Sequence, residues 1–209
     1  ISECLGNKSL ICNEECNDCN DIFSKTIEPD IAHMLSFLLT LHSIQGKRGL
    51  RKITGKNFKM SLDKSTATDN NIGTLKIQFD RDFPADFNNF IKNKLPIDTS
   101  NLKFTPQNVY KCLCKYVISI LDNGVLPYFQ DTIKWINNKT RYCKLPIVAI
   151  GNSATIHSEP ILLVSIRKKD DYNYPYCFAI LSIANIAFAF IVPFSSKDKY
   201  QFKADSKCY

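Results

Sequence analysis

Hydrophobic residues in the first two-thirds of the chain recur every three or four positions, the spacing of one face of an α-helix. The first such set lies between Pro29, which is favoured in the first turn of a helix, and Gly46, which is favoured just past its end. The set comprises Ile31, Met34, Leu35, Leu38, Leu41 and Ile44. Because these positions cover much of the helix circumference, we predict a helix near the centre of the fold.

Three further segments carry helical signals. Residues 83–93 are typical of a short helix. Thr105 and Pro106 are suited to the N-cap and first turn of another helix, which Gly124 is suited to end. Its predicted buried stripe comprises Val109, Leu113, Tyr116, Val117 and Ile120. The last helix starts at Pro127 and buries Phe129, Ile133 and Ile136, and the short connection predicts that it packs against its predecessor.

The last third of the chain is typical of β-strands. Its apolar runs are rich in Ile, Val and Phe and have strand lengths: residues 145–150, 160–166, 176–183 and 186–194. A polar loop at 168–173 and a tight connection at Ala184-Asn185, where Asn tolerates positive φ, predict antiparallel pairing. A strand at residues 74–79 is expected to join this sheet. We therefore predict an α+β fold in which helices pack on a C-terminal antiparallel β-meander.

Composition predicts one compact domain preceded by an arm. The chain has 209 residues, of which 44% are hydrophobic, enough for a substantial core. We expect a Cys-rich N-terminal arm at residues 1–25 and a single domain at residues 26–209. No apolar run approaches the roughly 20 residues that span a bilayer, because Ser182, Asn185 and Pro193 interrupt the longest one. We expect no membrane span.

Cysteines are unusually frequent, with nine in the chain and four of them in the first nineteen residues. This density is typical either of disulfides formed in an oxidising compartment or of a metal site. The disulfide candidates are Cys4, Cys12, Cys16, Cys19, Cys112, Cys114, Cys143 and Cys208. Since nine is odd, at least one cysteine stays free or pairs between chains, and Cys177, inside an apolar run, is the candidate for a free thiol.

We expect a secreted glycoprotein, or one that resides in the lumen of the secretory pathway. The chain starts at Ile1, which fits removal of a signal peptide, and it carries glycosylation sequons at Asn7 and Asn138. The alternatives are an intracellular protein with reduced thiols and a zinc protein that uses the first four cysteines. Zinc sites usually have two separated ligand pairs, and neither a second pair nor a nearby histidine is present here. We predict no metal and no cofactor.

A basic segment follows the first predicted helix. It comprises Lys47, Arg48, Arg51, Lys52, Lys56 and Lys59, with no acidic residue among them. In a chain of formal net charge +7, such a loop suits polyanions: nucleic acid, a sulfated glycan or an acidic partner. A solvated loop in a Lys-rich protein is the alternative. Residues 49–57 do not form a P-loop, because five residues separate the two glycines and Asn57 replaces Ser or Thr.

Two other positions are candidates for function. His157 lies in a polar segment between predicted strands, where catalytic residues are common. As a general base it would need Ser153 or Ser158 within hydrogen-bond reach and a carboxylate to orient its ring. The alternative is an ordinary hairpin residue.

Trp135 lies off the apolar stripe of its helix and is a candidate anchor for a partner, the alternative being a second buried face. His33 and His42 are nine residues apart on the first helix and therefore lie on roughly opposite sides of it, so they do not form one site together.

We expect a secreted, disulfide-stabilised binding protein that engages a protein or a polyanionic ligand. The alternative is a secreted hydrolase or nuclease that uses His157. The sequence contains no complete catalytic or cofactor motif, so it leaves open whether the protein is an enzyme.

Overall fold

The computed structural model describes residue 5 and residues 16–46, 49–50, 52–63, 74–79, 99–138, 148–169 and 171–199. Its helices are α1 (Asn17–Thr26), α2 (Glu28–Leu41), α3 (Pro106–Ile118) and α4 (Gln130–Ile136), with a 3₁₀ turn at Leu126–Phe129. Its strands are β1 (Gln45–Gly46), β2 (Gly49–Leu50), β3 (Lys52–Thr54), β4 (Phe58–Asp63), β5 (Thr74–Phe79), β6 (Val148–Ile166) and β7 (Cys177–Ile191). All described pairings are antiparallel, and the predicted α+β class is confirmed.

The predicted central helix is α2. Pro29 lies in its first turn, where Glu28 and Asp30 also suit the positive end of the helix dipole. Ile31, Leu35 and Leu39 are buried in the core, while Leu41, predicted to be buried, is 39% exposed at the end of the helix.

Helix α3 begins as the sequence predicts, with Thr105 at the N-cap and Pro106 in the first turn, although the Thr105 side chain makes no capping hydrogen bond. Every side chain from Val109 to Val117 is buried. The helix ends at Ile118, so Ile120 leaves the stripe and is 43% exposed, contrary to the prediction. The helix predicted at residues 83–93 lies outside the described residues.

The amino-terminal arm contains a helix that the sequence patterns did not predict. Cys16 is the N-cap of α1, and its Sγ accepts a hydrogen bond from the Cys19 amide at 3.1 Å. Phe23 of this helix and Leu5 before it are buried in the same core as α2 and α3. The arm boundary expected after residue 25 therefore falls inside a helix that packs on the domain.

A three-stranded sheet occupies the region predicted to be a basic loop. Its order is β3–β4–β5, with Ile53 opposite Met60 and Met60 opposite Ile77. These apolar residues face a small second core that also contains Phe58. Strand β5, expected to join the C-terminal sheet, pairs with β4 instead. The loop expectation was wrong because lysine density hid a period-two alternation that is typical of strands. The expectation for β5 was wrong in its pairing partner, which the pattern of a single strand does not determine.

Strands β6 and β7 form one long hairpin in place of four separate strands. The described parts of the four predicted apolar runs lie within two continuous strands or at their ends, and residues 145–147 of the first run lie outside the described residues. Asn152 pairs with Ile186 and His157 pairs with Ala184, so residues 153–156 of β6 lie opposite the single residue Asn185. At this bulge Ala184 adopts φ 51°. The tight connection predicted at Ala184-Asn185 is therefore part of a bulge and not a turn between two strands. The two are alike in sequence because a bulge also requires one residue of unusual conformation.

Two lysines of α3 lie within the main core. The Lys115 Nζ is 2.7 Å from the Glu28 Oε1, and the Lys115 and Glu28 side chains are only 8% and 12% exposed. The Lys111 Nζ donates to the Asn138 Oδ1 at 2.5 Å and lies 5.4 Å from the centre of the Trp135 ring. Among the described residues, no carboxylate pairs with Lys111, and burial lowers the pKa of its ammonium group.

We expect Lys111→Met and Lys115→Met to have opposite effects on the free energy of unfolding. Lys111→Met removes a buried charge that has no carboxylate partner among the described residues and keeps the volume of the stem, so stability should stay equal or rise by about 1–2 kcal/mol. Lys115→Met leaves the Glu28 carboxylate buried without its partner and should cost about 3–5 kcal/mol. Urea unfolding of the parent and both variants measures these changes. Equal destabilisation by the two substitutions would contradict the interpretation.

Candidate functional site

The outer face of the three-stranded sheet carries three lysines. Lys52 of β3 lies opposite Ser61 of β4, which in turn lies opposite Lys76 of β5. Two residues further along each strand, Thr54, Lys59 and Gln78 form a second row across the same three strands. Because directly paired residues share a face of a sheet, Lys52, Lys59 and Lys76 project from one surface, here called the lysine face. All three lysines are exposed.

The apolar side of the sheet determines which way the lysines point. Ile53, Met60 and Phe58 are each at most 3% exposed, and they alternate along β3 and β4 with the lysines. A one-residue shift in register would bury the lysines and expose this cluster, so the small core sets the orientation of the lysine face.

The turn between β3 and β4 depends on a glycine. The Gly55 amide donates to the Phe58 carbonyl at 2.8 Å, and a Cβ at Gly55 would lie 1.9 Å from the Phe58 ring. No other residue type fits against this ring without displacing it. Lys56 is exposed in the same turn, at the end of the lysine face.

The predicted basic set is only partly described. Lys52 and Lys59 lie on the lysine face and Lys56 beside it, whereas Lys47, Arg48 and Arg51 lie outside the described residues. Lys76 was not predicted as a site residue, because its position depends on pairing between β4 and β5. Its alternation with Leu75 and Ile77 was the available signal.

The surroundings of His157 differ from those of a catalytic triad. His157 lies within the bulge of β6 and not in a loop between two strands. Its Nε2 is 2.9 Å from the Thr155 Oγ1 and 3.5 Å from the Ser153 Oγ, so a hydroxyl–imidazole pair exists. In the described part of the chain, no carboxylate, lysine or second histidine contacts the ring. The group that would orient a general base is thus missing from these contacts.

The other two histidines connect α2 to different segments. The His42 Nε2 is 3.1 Å from the Asn185 Oδ1, which links the end of α2 to the residue of β7 that lies opposite the β6 bulge. The His33 Nδ1 donates to the Lys103 carbonyl at 3.1 Å, which links the first half of α2 to the segment before α3. Through these hydrogen bonds, both histidines have structural roles.

Trp135 is not an exposed anchor. Its side chain is 0% exposed, and its ring packs edge-on against Tyr110 at 5.5 Å and Phe194 at 5.3 Å between ring centres. The partner-binding interpretation of Trp135 was wrong because α4 is covered on two sides, by α3 and by the segment that follows β7. The second buried face is the correct description.

The described cysteines differ sharply in environment. Cys16 is exposed, Cys19 is half-buried, and Cys112, Cys114 and Cys177 are buried. Burial raises the pKa of the Cys177 thiol to about 12, with a further contribution from the Asp198 carboxylate. Burial also raises the pKa of Cys114 well above its ordinary value, and nearby Cys177 and Cys112 contribute. These are protonated thiols of low reactivity at neutral pH.

Several of the predicted disulfide and glycosylation positions fall outside the part of the chain that the structure describes. Cys4, Cys12, Cys143, Cys208 and the sequon residue Asn7 lie outside the described residues. Asn138 is exposed just after α4, where it adopts φ 57°. Within the described ranges, no three His, Cys, Asp or Glu residues come together as a metal site. No described helix combines the length and apolar character needed to cross a membrane.

The raised pKa of Cys177 predicts a loss of stability in alkali. Between an unfolded value near 9 and a folded value of about 12, the unfolded state loses the proton first, so stability falls as pH rises through this window. The contribution is at most about 1.4 kcal/mol per pH unit. Urea unfolding between pH 8 and 11 should therefore show a shallower decline for Cys177→Ala than for the parent. Cys16→Ala, which removes an exposed thiol, is the matched control, and identical slopes for both variants would contradict the prediction.

Comparisons of the chain with protein-family models, with curated proteins and with solved structures found no match.

Proposed function

We propose that the protein is a binding protein that engages a polyanionic ligand through the lysine face. The observation that carries the proposal is the register of β3, β4 and β5, which gathers Lys52, Lys59 and Lys76 from three strands onto one surface. Ser61, Thr54 and Gln78 lie between them and supply hydrogen-bonding groups of no net charge. An acidic residue of β4, Asp63, lies beyond these two rows, at the end of the strand opposite Thr74.

The spacing of the lysines supports joint action on one ligand. Neighbouring strands are about 4.8 Å apart, so the backbones of Lys52 and Lys76 are about 10 Å apart across β4. Lys59 lies about 7 Å along β4 from the row that they share. These separations are close to one Debye length at physiological salt, about 8 Å, so the three positive potentials add. A flexible four-carbon stem lets each ammonium group adjust to a flat, charged polymer.

The proposal includes secretion and stabilisation by disulfides. It rests on the nine cysteines and two sequons, and it is compatible with the exposed position of Asn138. A disulfide removes conformational freedom from the unfolded chain and commonly adds about 2–4 kcal/mol to stability.

Neutralising the lysine face should weaken binding to polyanions. The variant Lys52→Gln, Lys59→Gln, Lys76→Gln should elute from heparin at lower salt than the parent. With a duplex oligonucleotide, the slope of log K against log salt should become shallower by about 2–3 if each lysine contacts one phosphate. Its melting temperature should change little, because the three side chains are exposed.

The matched control is Lys25→Gln, Lys103→Gln, Lys134→Gln, which removes the same charge from exposed positions elsewhere. Both variants lower the formal net charge by three, from +7 to +4. Equal elution of the two variants would show that only total charge matters, and elution of the lysine-face variant with the parent would reject the site.

Secretion predicts that most thiols are blocked in natively produced protein. Intact mass measured after alkylation, with and without prior reduction, should show most of the nine cysteines reacting only after reduction. The alkylation must be done in denaturant, because buried thiols such as Cys114 and Cys177 would otherwise be protected without any disulfide. Eight or nine alkylated thiols without reduction would contradict secretion.

A further inference from the structure

A second cationic surface lies at the end of the long hairpin. It is formed by the connection between β6 and β7 and by the segment that follows β7. The hairpin-end patch, as we call it, comprises the exposed residues Lys168, Lys169, Tyr174, Lys197 and Lys199 together with half-buried Tyr172. Unlike the lysine face, it combines cations with aromatic rings.

A buried ion pair holds the two segments of the patch together. Arg167 donates from Nη1 to the Tyr174 carbonyl and from Nη2 to the Lys197 carbonyl, the latter at 2.7 Å. Its Nη1 is 3.9 Å from the Asp198 Oδ1, and the two side chains are 8% and 0% exposed. Asp198 accepts the Tyr176 amide at 2.6 Å. A buried charge pair with these hydrogen bonds fixes the backbone on which the surface residues stand.

Cation–π contacts orient two of the lysines. The Lys199 Nζ is 3.6 Å from the centre of the Tyr172 ring, and the Lys197 Nζ is 4.6 Å from the centre of the Tyr128 ring. Arg167 also lies 5.0 Å from the centre of the Tyr172 ring, so Tyr172 contacts two cations.

The Tyr174 ring is different. Tyr174 is 66% exposed, and its contact with Arg167 is made by its backbone carbonyl and not by its ring. Among the described residues, no ring or cation–π contact involves it. An exposed aromatic ring at the same hairpin end as four exposed lysines has the two parts of a surface that binds single-stranded nucleic acid: a platform on which a base can stack and cations for the phosphates.

We propose that the hairpin-end patch binds single-stranded nucleic acid, with a base stacked on Tyr174 and the phosphates near Lys168, Lys169, Lys197 and Lys199. The Arg167–Asp198 pair prepares this surface before the ligand arrives, which lowers the ordering cost of binding. Recognition through one ring and point charges is tolerant of sequence, because every base has a face that can stack. The site is independent of the lysine face.

The test is binding of a fluorescent oligothymidylate to the full chain, followed by anisotropy at fixed salt. Tyr174→Ala should weaken binding about 5- to 150-fold, whereas Tyr174→Phe should bind like the parent because the stacking ring is kept. Phe104→Ala, which removes another exposed aromatic ring, is the matched control and should not change binding. Melting temperatures should be unchanged, since the Tyr174 ring is exposed.

Heparin is charged but has no bases, so it reports binding by charge without stacking. Tyr174→Ala should therefore elute from heparin at the same salt concentration as the parent. Loss of heparin affinity in the triple lysine variant tests the lysine face and not the hairpin-end patch. Unchanged oligothymidylate affinity in Tyr174→Ala would overturn the proposal. Equal weakening of heparin and oligothymidylate binding by Tyr174→Ala would overturn it as well, because it would indicate a general loss of structure.

Discussion

The burial of α3 on every side is the constraint on which the rest of the structure depends. Every side chain from Val109 to Val117 is buried, so other elements pack around the whole circumference of this part of the helix. The two lysines in this stretch then require partners, and they find them in Glu28 of α2 and in Asn138 just after α4. The Tyr110 hydroxyl donates to the Ile191 carbonyl at 2.7 Å and ties the last residue of β7 to the same helix. The elements α2, α4 and β7 are thus positioned in part by the hydrogen bonds that the buried polar groups of α3 require.

The hairpin is held mainly through its ends. Strand β7 has no charged residue between Cys177 and Ile191, so most of its inner side chains contribute burial alone, and Asn185, which bonds to His42, is an exception. Further hydrogen bonds come from polar groups beyond the strands. Thr132 donates to the Pro193 carbonyl, the Ser196 amide donates to the Tyr128 carbonyl, and Arg167 bridges the two segments at the hairpin end. A long apolar hairpin thereby obtains one fixed position on the helices.

The sequence predicted those elements whose signals are local and failed where the outcome depends on distant residues. The spacing of Ile31 and Leu35 and the Thr105-Pro106 start are local, and α2 and α3 appear where expected. Helix α1 was missed because Phe23 is its single buried residue, which leaves no apolar stripe to detect. The position of Trp135 was misjudged because Tyr110 and Phe194, which cover it, are far away in the chain. For the same reason two lysines of the lysine face could be named in advance, whereas Lys76 required the pairing of β4 with β5.

The two cationic surfaces use lysine in physically different ways. On the lysine face, strand pairing fixes the backbone positions of the lysines, and each ammonium group stands at the end of a flexible four-carbon stem. At the hairpin end, aromatic rings restrict where the Lys197 and Lys199 ammonium groups lie, so less freedom remains to be lost on binding. The first arrangement suits a polymer recognised by charge alone, with affinity that falls steeply with salt. The second adds a contact between rings, and that part of the affinity is not screened by salt because it does not depend on charge.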